Sequence, residues 1–227
     1  MGKTENVFKG EFLTDAKALR KKSEKIRAYI FDWDGVFNDG YKTETGSSSF
    51  SEIDSMGTNL LRFSHFLKKG VVPFTAIISG EQNKAAELFA GREHFHALYS
   101  GIKNKVDALQ HFCRANNLDA SEVTFVFDDV LDLSVASLCG LRILVARKEN
   151  PLFTRFVKKK KLADYLTASS GANFAVRETT ELIMNMHGEY ENAVQNRVEY
   201  SQQYVSYLEQ RNSSKTRFFS SKDLSVH

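Results

Sequence analysis

The sequence predicts a three-layer α/β fold around a central parallel sheet, on three observations. Short apolar runs alternate with helix-period segments along most of the chain. That pattern calls for right-handed crossovers and a sheet covered on both faces. The run from Pro73 to Ser79 is continuously apolar up to its end, which suits a strand buried on both sides. Three runs end on polar groups, Asp32/Asp34, Ser79 and Asp128/Asp129, and in such sheets ligands gather at the carboxyl ends of the strands.

Each element has its own sequence reason. Glu11 to Lys25 is a basic, helix-competent lead-in, and Arg27 to Asp32 is the first strand. Phe37 to Phe50, rich in Gly, Ser, Thr and Asn, reads as a hairpin or flap. Leu60, Leu61, Phe63, Phe66 and Leu67 give Gly57 to Lys69 a helical period that stops at Gly70. Gln82 to Ala90 is helical, His96 to Ser100 a short strand, and Lys105 to Asn116 an amphipathic helix through Val106, Leu109, Phe112 and Cys113. Val123 to Phe127 is a strand, Leu131 to Leu138 a helix and Leu141 to Ala146 a strand. Phe153 to Lys161 and Asn173 to Met186 read as helices with an extended piece, Asp164 to Thr167, between them. Tyr190 to Arg211 is polar with Val194, Val198, Val205 and Leu208 at helical spacing, which predicts one long appended helix. Asn212 to His227 is rich in Ser and Lys and is expected to fray. The organisation is a lead-in over 1–25, a core domain over 26–186 and a helical tail over 187–227.

Composition narrows the function classes. At 227 residues and 42% apolar the chain can bury a sizeable core without staples. A net charge of +3 is too mild to argue for nucleic acid. The run Lys158 to Lys161 reads as a solvated helix end. Cys113 and Cys139 lack partners at metal spacing and read as reduced core thiols of a cytosolic protein. Met1 to Gly10 has no apolar core of a signal peptide, and no run approaches the ~20 apolar residues of a membrane span. A cytoplasmic protein with no membrane partner is expected.

The chemistry starts from Asp32-Trp33-Asp34-Gly35. Residues i and i+2 on an extended segment point the same way, so both carboxylates can face one small volume. Like charges placed together need a cation or a shared proton, which implies a metal site, an acid/base site, or both. The fold brings Asp32/Asp34, Ser79, Lys105 and Asp128/Asp129 to one end of the sheet, and that set suits phosphoryl transfer. A carboxylate ~4 Å from a phosphate dianion, at an effective dielectric of about 20, is repelled by roughly 8 kcal/mol. That is roughly a millionfold in rate. Asp32 and Asp128 offer hard oxygen ligands for Mg²⁺, Lys105 an ammonium, and Ser79 with neighbouring N–H groups hydrogen bonds to phosphoryl oxygens.

The ordered motifs resemble the haloacid dehalogenase (HAD) superfamily. Asp32-Trp33-Asp34-Gly35-Val36 matches its first motif, Ile78-Ser79-Gly80 its second, Lys105 its third and Asp128-Asp129-Val130-Leu131-Asp132 its fourth. Asp39-Gly40, Phe50 with Asp54, Gly101 with Lys105, and Gly171 with Ala175-Val176-Arg177-Glu178 further resemble the capless 3-deoxy-manno-octulosonate 8-phosphate phosphatase (YrbI-like) subfamily, from about Ile26 to Met186. The resemblance implies a Rossmann-like HAD fold with a small β-hairpin flap and no large cap domain. It implies that Asp32 attacks phosphorus, Asp34 is the acid and base, and Mg²⁺ is held by Asp32, the Asp34 carbonyl and Asp128. It also implies that Ser79, Gly80 and Lys105 bind the phosphate, Asp129 and Asp132 support the site, and subunits assemble as tetramers. Gaps of about 45 and about 26 residues between Asp34, Ser79 and Lys105 agree, being below the roughly 50 residues of an independent domain.

Six residues depart from the resemblance. Phe127 replaces a glycine and places a ring beside the metal loop, and Ser79 replaces a threonine. Glu81 replaces an arginine and would repel an acidic sugar, Ser55 replaces a glycine, and Arg147-Lys148 stands where small apolar residues are usual. Trp33 is read as core or pocket wall, and His65, His94, His96 and His111 as structural or surface groups. Arg177-Glu178 reads as an interface ion pair. The expected activity is a Mg²⁺-dependent phosphomonoesterase acting on a sugar-acid phosphate, of octulosonate 8-phosphate or nonulosonate 9-phosphate type. The rivals are a non-catalytic oligomerisation or regulatory module, and a phosphatase of other small esters or of phosphoprotein.

Overall fold

A computed structural model describes residues 7–44 and 46–224. Its centre is an eight-stranded sheet, with β1 (Glu11–Phe12), β2 (Ala28–Phe31), β3 (Phe74–Ile78), β4 (Ala97–Ser100), β5 (Val123–Phe127), β6 (Leu141–Leu144), β7 (Tyr165–Leu166) and β8 (Arg217–Ser220). The spatial order is β1-β7-β6-β5-β2-β3-β4-β8. All neighbours run parallel except β1, which pairs antiparallel with β7.

Period-two alternation on strands buried on both sides makes two cores. Tyr29, Phe31, Ile77 and Val126 face one, with Leu60, Leu61, Ile183 and Met184 from helices. Ala28, Ile30, Ala76, Phe125 and Phe127 face the other, with Leu109, Phe112 and Val157. The helices are α1 (Ala16–Ser23), α2 (Glu52–Lys69), α3 (Lys84–Arg92), α4 (Lys105–Ala115), α5 (Leu133–Ala136), α6 (Pro151–Lys160), α7 (Ala175–His187), α8 (Tyr190–Val198), α9 (Gln202–Ser213) and α10 (Ser221–Leu224). Helix α2 shows why the chain helices where it does. Ser51 caps it by accepting from the Ile53 N–H, Glu52 and Asp54 face its positive end, Lys68 and Lys69 its negative end, and Gly70 ends it at φ +77°.

Four expectations need correction. The lead-in from Glu11 to Lys25 is helical only over Ala16–Ser23; Glu11 and Phe12 form β1 and pair with β7, so the lead-in joins the sheet. The flap between Phe37 and Phe50 holds no strand among its described residues; Thr43 N–H to Ser47 O closes a turn instead of a paired hairpin. The tail is two helices. Tyr200 takes φ +50°, and Ser201 accepts from the Tyr204 N–H to start α9 afresh. The break lets Tyr204 and Tyr207 pack on Phe63 of α2 while Val198 stays exposed. Beyond it the chain does not fray: β8 extends the sheet on β4, with Phe219 stacked on Tyr99. An edge strand carries a row of unpaired backbone groups, and the tail satisfies them here. Residues 225–227 of the expected frayed end lie outside the described residues. No helix among the described residues is long and apolar enough to cross a membrane.

Candidate active site

Register places the chemistry. Phe31 of β2 sits opposite Ile77 of β3 and Val126 of β5, so the residues after all three strands emerge at one end of the sheet. Asp32 continues the ladder through its N–H to Val126 O (2.9 Å), and Ser79 does so to Tyr99 O (2.8 Å). Lys105 opens α4 beneath them. Its ammonium donates to Asp32 Oδ1 at 2.7 Å and Asp132 Oδ1 at 2.6 Å, and all three groups are buried. Asp32, Asp128 and Asp132 offer oxygens within 4.8 Å of one another. Arg147, in the loop after β6, places Nη2 2.7 Å from Asp128 Oδ2.

Electrostatics of this cluster favours a cation. Burial alone would lower the Lys105 pKa, but Asp32 and Asp132 outweigh it and hold the ammonium strongly protonated. Burial, then the Asp32 charge, pushes the Asp128 carboxyl up, with Arg147 pulling the other way. Burial and Asp32 likewise push up Asp132 against the pull of Lys105. Carboxylates crowded enough to resist ionisation, all hard oxygen donors, fit a small divalent ion, which would relieve that repulsion.

The remaining expected site residues fall as follows. Asp34 stands at the mouth of a cavity of about 300 Å³ that Asp32, Gly80, Lys105, Asp128 and Asp129 also line. Its Oδ1 accepts from Ser48 and its Oδ2 from Lys42 at 2.5 Å, so the flap closes on it. The Ser79 hydroxyl does not line the cavity. It donates to Glu81 O (2.9 Å) and accepts from the Glu81 N–H, fixing the Gly80–Glu81 turn. Asp129 accepts from the Val130 N–H and so starts the short turn that carries Asp132. Gly35 has φ +84°, and a Cβ there would lie 2.0 Å from Asp128 Oδ2.

Several departures resolve differently from expectation. The Phe127 ring is turned into the core, parallel to Phe125 at 5.7 Å, because i and i+2 share a face while Asp128 takes the other; it does not crowd the metal loop. Glu81 does line the cavity but is paired with Lys103 at 3.1 Å. Ser55 donates to Glu93 and accepts from Arg92. Arg177 and Glu178 do not pair with each other. Glu178 accepts from the N–H groups of Ala168 and Ser169, and Arg177 bonds Glu181 while its N–H reaches Asp54. These bonds hold the loop after β7, whose Gly171 lies so close under the first loop that a Cβ would meet Gly35 O at 2.3 Å. Trp33 is core, stacked on Phe37. His65, His94, His96 and His111 bond within the fold, and both cysteines are buried free thiols.

Sequence reasoning missed the flap's anchors. Asn38 Oδ1 accepts from the N–H groups of Gly35 and Gly40, and Asn83 donates to Ser48. An Asn between two glycines is a turn signal that could have found Asn38. Asn83 is an N-cap, and nothing local to it points at the site.

A mainly parallel sheet with these carboxylates and the Lys105 ammonium at its carboxyl ends, and no cap domain over them among the described residues, defines a HAD-type phosphatase. Comparison with known proteins agrees. The chain is 30% identical over 176 residues to the 3-deoxy-D-manno-octulosonate 8-phosphate phosphatase KdsC of Escherichia coli K12, covering 76% of this chain and 86% of the relative. A probable YrbI-family phosphatase from Pseudomonas syringae superposes with TM-score 0.68 at 30% identity, over 80% of this chain and 98% of the other. The octulosonate 8-phosphate phosphatase of Yersinia pestis gives TM-score 0.65 at 28% identity, over 77% and 89%. No family profile matches the chain. The chain belongs to the 3-deoxy-D-manno-octulosonate 8-phosphate phosphatase family of the HAD superfamily.

Proposed function

We propose that the protein hydrolyses a sugar-acid phosphate, of octulosonate 8-phosphate or nonulosonate 9-phosphate type, through an aspartyl-phosphate on Asp32. The observation that carries this reading is Lys105 held between Asp32 and Asp132, two carboxylates whose oxygens lie within 4.8 Å of one of Asp128. Lys105 fixes Asp32 Oδ1 and leaves Oδ2 to attack phosphorus in line, while its ammonium offsets the charge of the transferred group. Asp34 protonates the leaving sugar oxygen and then takes a proton from the water that cleaves the acyl phosphate. For that, Asp34 must exchange a flap contact, to Ser48 or Lys42, for the leaving oxygen. With the Ser79 N–H given to Tyr99 O and the Glu81 N–H to the Ser79 hydroxyl, the Gly80 N–H at the cavity wall is the group of this turn that would bind a phosphoryl oxygen. Mg²⁺, held by Asp32, the Asp34 carbonyl and Asp128, would neutralise phosphate charge. Tetramer assembly and a cytoplasmic location complete the reading.

Release of p-nitrophenol from its phosphate ester tests it. Activity should need Mg²⁺, vanish with EDTA, and fall by at least about a thousandfold in Asp32→Asn. Equal rates for the two proteins would remove the nucleophile assignment. The Arg147 contact on Asp128 favours a second reading, a non-catalytic module whose cation site an arginine fills. Calorimetry that finds no Mg²⁺ binding by the wild type would select it.

A further inference from the structure

The cavity holds one guanidinium among its described lining residues, and it sits on a carboxylate that the reading above gives to the metal. The other lining cations are committed elsewhere: Lys105 to Asp32 and Asp132, and Lys103 to Glu81. The place that Arg147 occupies is a built cradle. Two glycines with positive φ border it, and a Cβ on Gly35 would come within 2.1 Å of Nη2, with one on Gly40 at 3.5 Å. Arg147 is also a junction. It lines a second cavity of about 450 Å³ with Lys148, Arg155 and Lys158. Lys158 is paired with Glu11, while Lys148 and Arg155 form no salt bridge among the described residues. An excess of carboxylate thus lies on one side of this side chain and an excess of cation on the other.

We propose that Arg147 is a metal-coupled specificity residue. It holds Asp128 in the cation-free protein. A divalent cation that takes Asp128 releases the guanidinium toward the adjoining basic cavity, where with Lys148 and Arg155 it binds a carboxylate of the substrate. The inference rests on the phosphatase reading above. A guanidinium cannot lose its proton to relieve repulsion from an arriving cation, so it must move. The side chain is long and about one-third exposed, so it can. A planar fork of donors matches a carboxylate in two-point contact. Glu81 and its partner Lys103 cancel each other, which leaves Arg147 as the group at this wall able to select an acidic sugar.

Two measurements on the full chain decide it, with wild type, Arg147→Met and Arg147→Lys shown to fold by thermal melting. The first is calorimetric titration with MgCl₂ alone. Arg147→Met should bind Mg²⁺ at least about fivefold more tightly than wild type, and Arg147→Lys by a smaller factor, since the ammonium keeps the charge but loses the fork. Unchanged or weaker binding in Arg147→Met overturns the latch. The second is KM for a sugar-acid phosphate against KM for a neutral sugar phosphate. The first should rise at least about tenfold more than the second in Arg147→Met. Equal rises overturn carboxylate recognition. A wild type that hydrolyses neither ester overturns the phosphatase reading and the recognition with it, while the Mg²⁺ titration still decides the latch.

Discussion

Lys105 is a single side chain on which two buried carboxylates depend. Removing one partner of a buried ion pair leaves an uncompensated charge, which costs about 3–5 kcal/mol. Lys105→Met should therefore lower unfolding stability in urea by about that amount. Adding Asp132→Asn should recover part of the loss; a purely additive double variant would show that the groups are not coupled. Gly35 is as constrained as any charged residue here. Gly35→Ala must distort the loop, since its Cβ would overlap Asp128 and φ lies in the left-handed region. Mg²⁺ affinity in Gly35→Ala should fall at least about tenfold, and unchanged calorimetry would refute the close approach.

At the scale of elements, the tail is the part whose role the sequence disguised. Ser201 and Tyr200 break what the valine spacing presents as one helix, and the second half docks two tyrosines against Phe63. Ser201→Ala should cost about 1 kcal/mol through the lost cap, read by urea unfolding. Strand β8 protects the β4 edge. A chain ending at Thr216 should expose that edge and self-associate. Sedimentation showing the same mass as full length would remove this protective role. The strands β2, β3, β5 and β6 were legible because short runs rich in Ile, Val, Leu and Phe, bounded by polar residues, read as buried strands. The flap was not, because Ser and Asn in a glycine-rich stretch do not reveal whether they pair with each other or, as Ser48 does, with Asp34.

For the whole molecule, protons and cations are linked to folding. Burial, the largest cause in each case, lowers His65 to about 3 and His96 and His187 to about 4. Depressed folded-state values mean that the unfolded chain binds protons first as pH falls below about 6.5. The contribution is fully present above that pH and is lost progressively toward pH 4. The raised carboxyls of Asp54, Asp128 and Asp132 act with the opposite sign over the same range, so the histidines are read one by one: imidazole resonances of the three should not titrate above pH 5. A histidine that titrated near 6.5 would contradict its burial. Mg²⁺ at 100 times its dissociation constant should add about 2.7 kcal/mol of stability; a melting curve indifferent to Mg²⁺ would deny the site.

By itself the sequence determined the order of strands β2 to β7 along the chain and the superfamily motifs, and it singled out Asp32, Asp34, Lys105, Asp128 and Asp132 as candidates; it missed β1, read within a helical lead-in, and β8, read within a fraying end. The features it determined are local signals: a period of two or 3.6, and carboxylates at fixed spacing after an apolar run. Tertiary structure alone decided where Phe127 points, that the Ser79 hydroxyl serves its own turn, that the tail completes the sheet and that Arg147 reaches Asp128. Each of these depends on which partner a group meets across the fold. Sequence spacing does not encode that distance, whereas packing two faces onto one sheet fixes it.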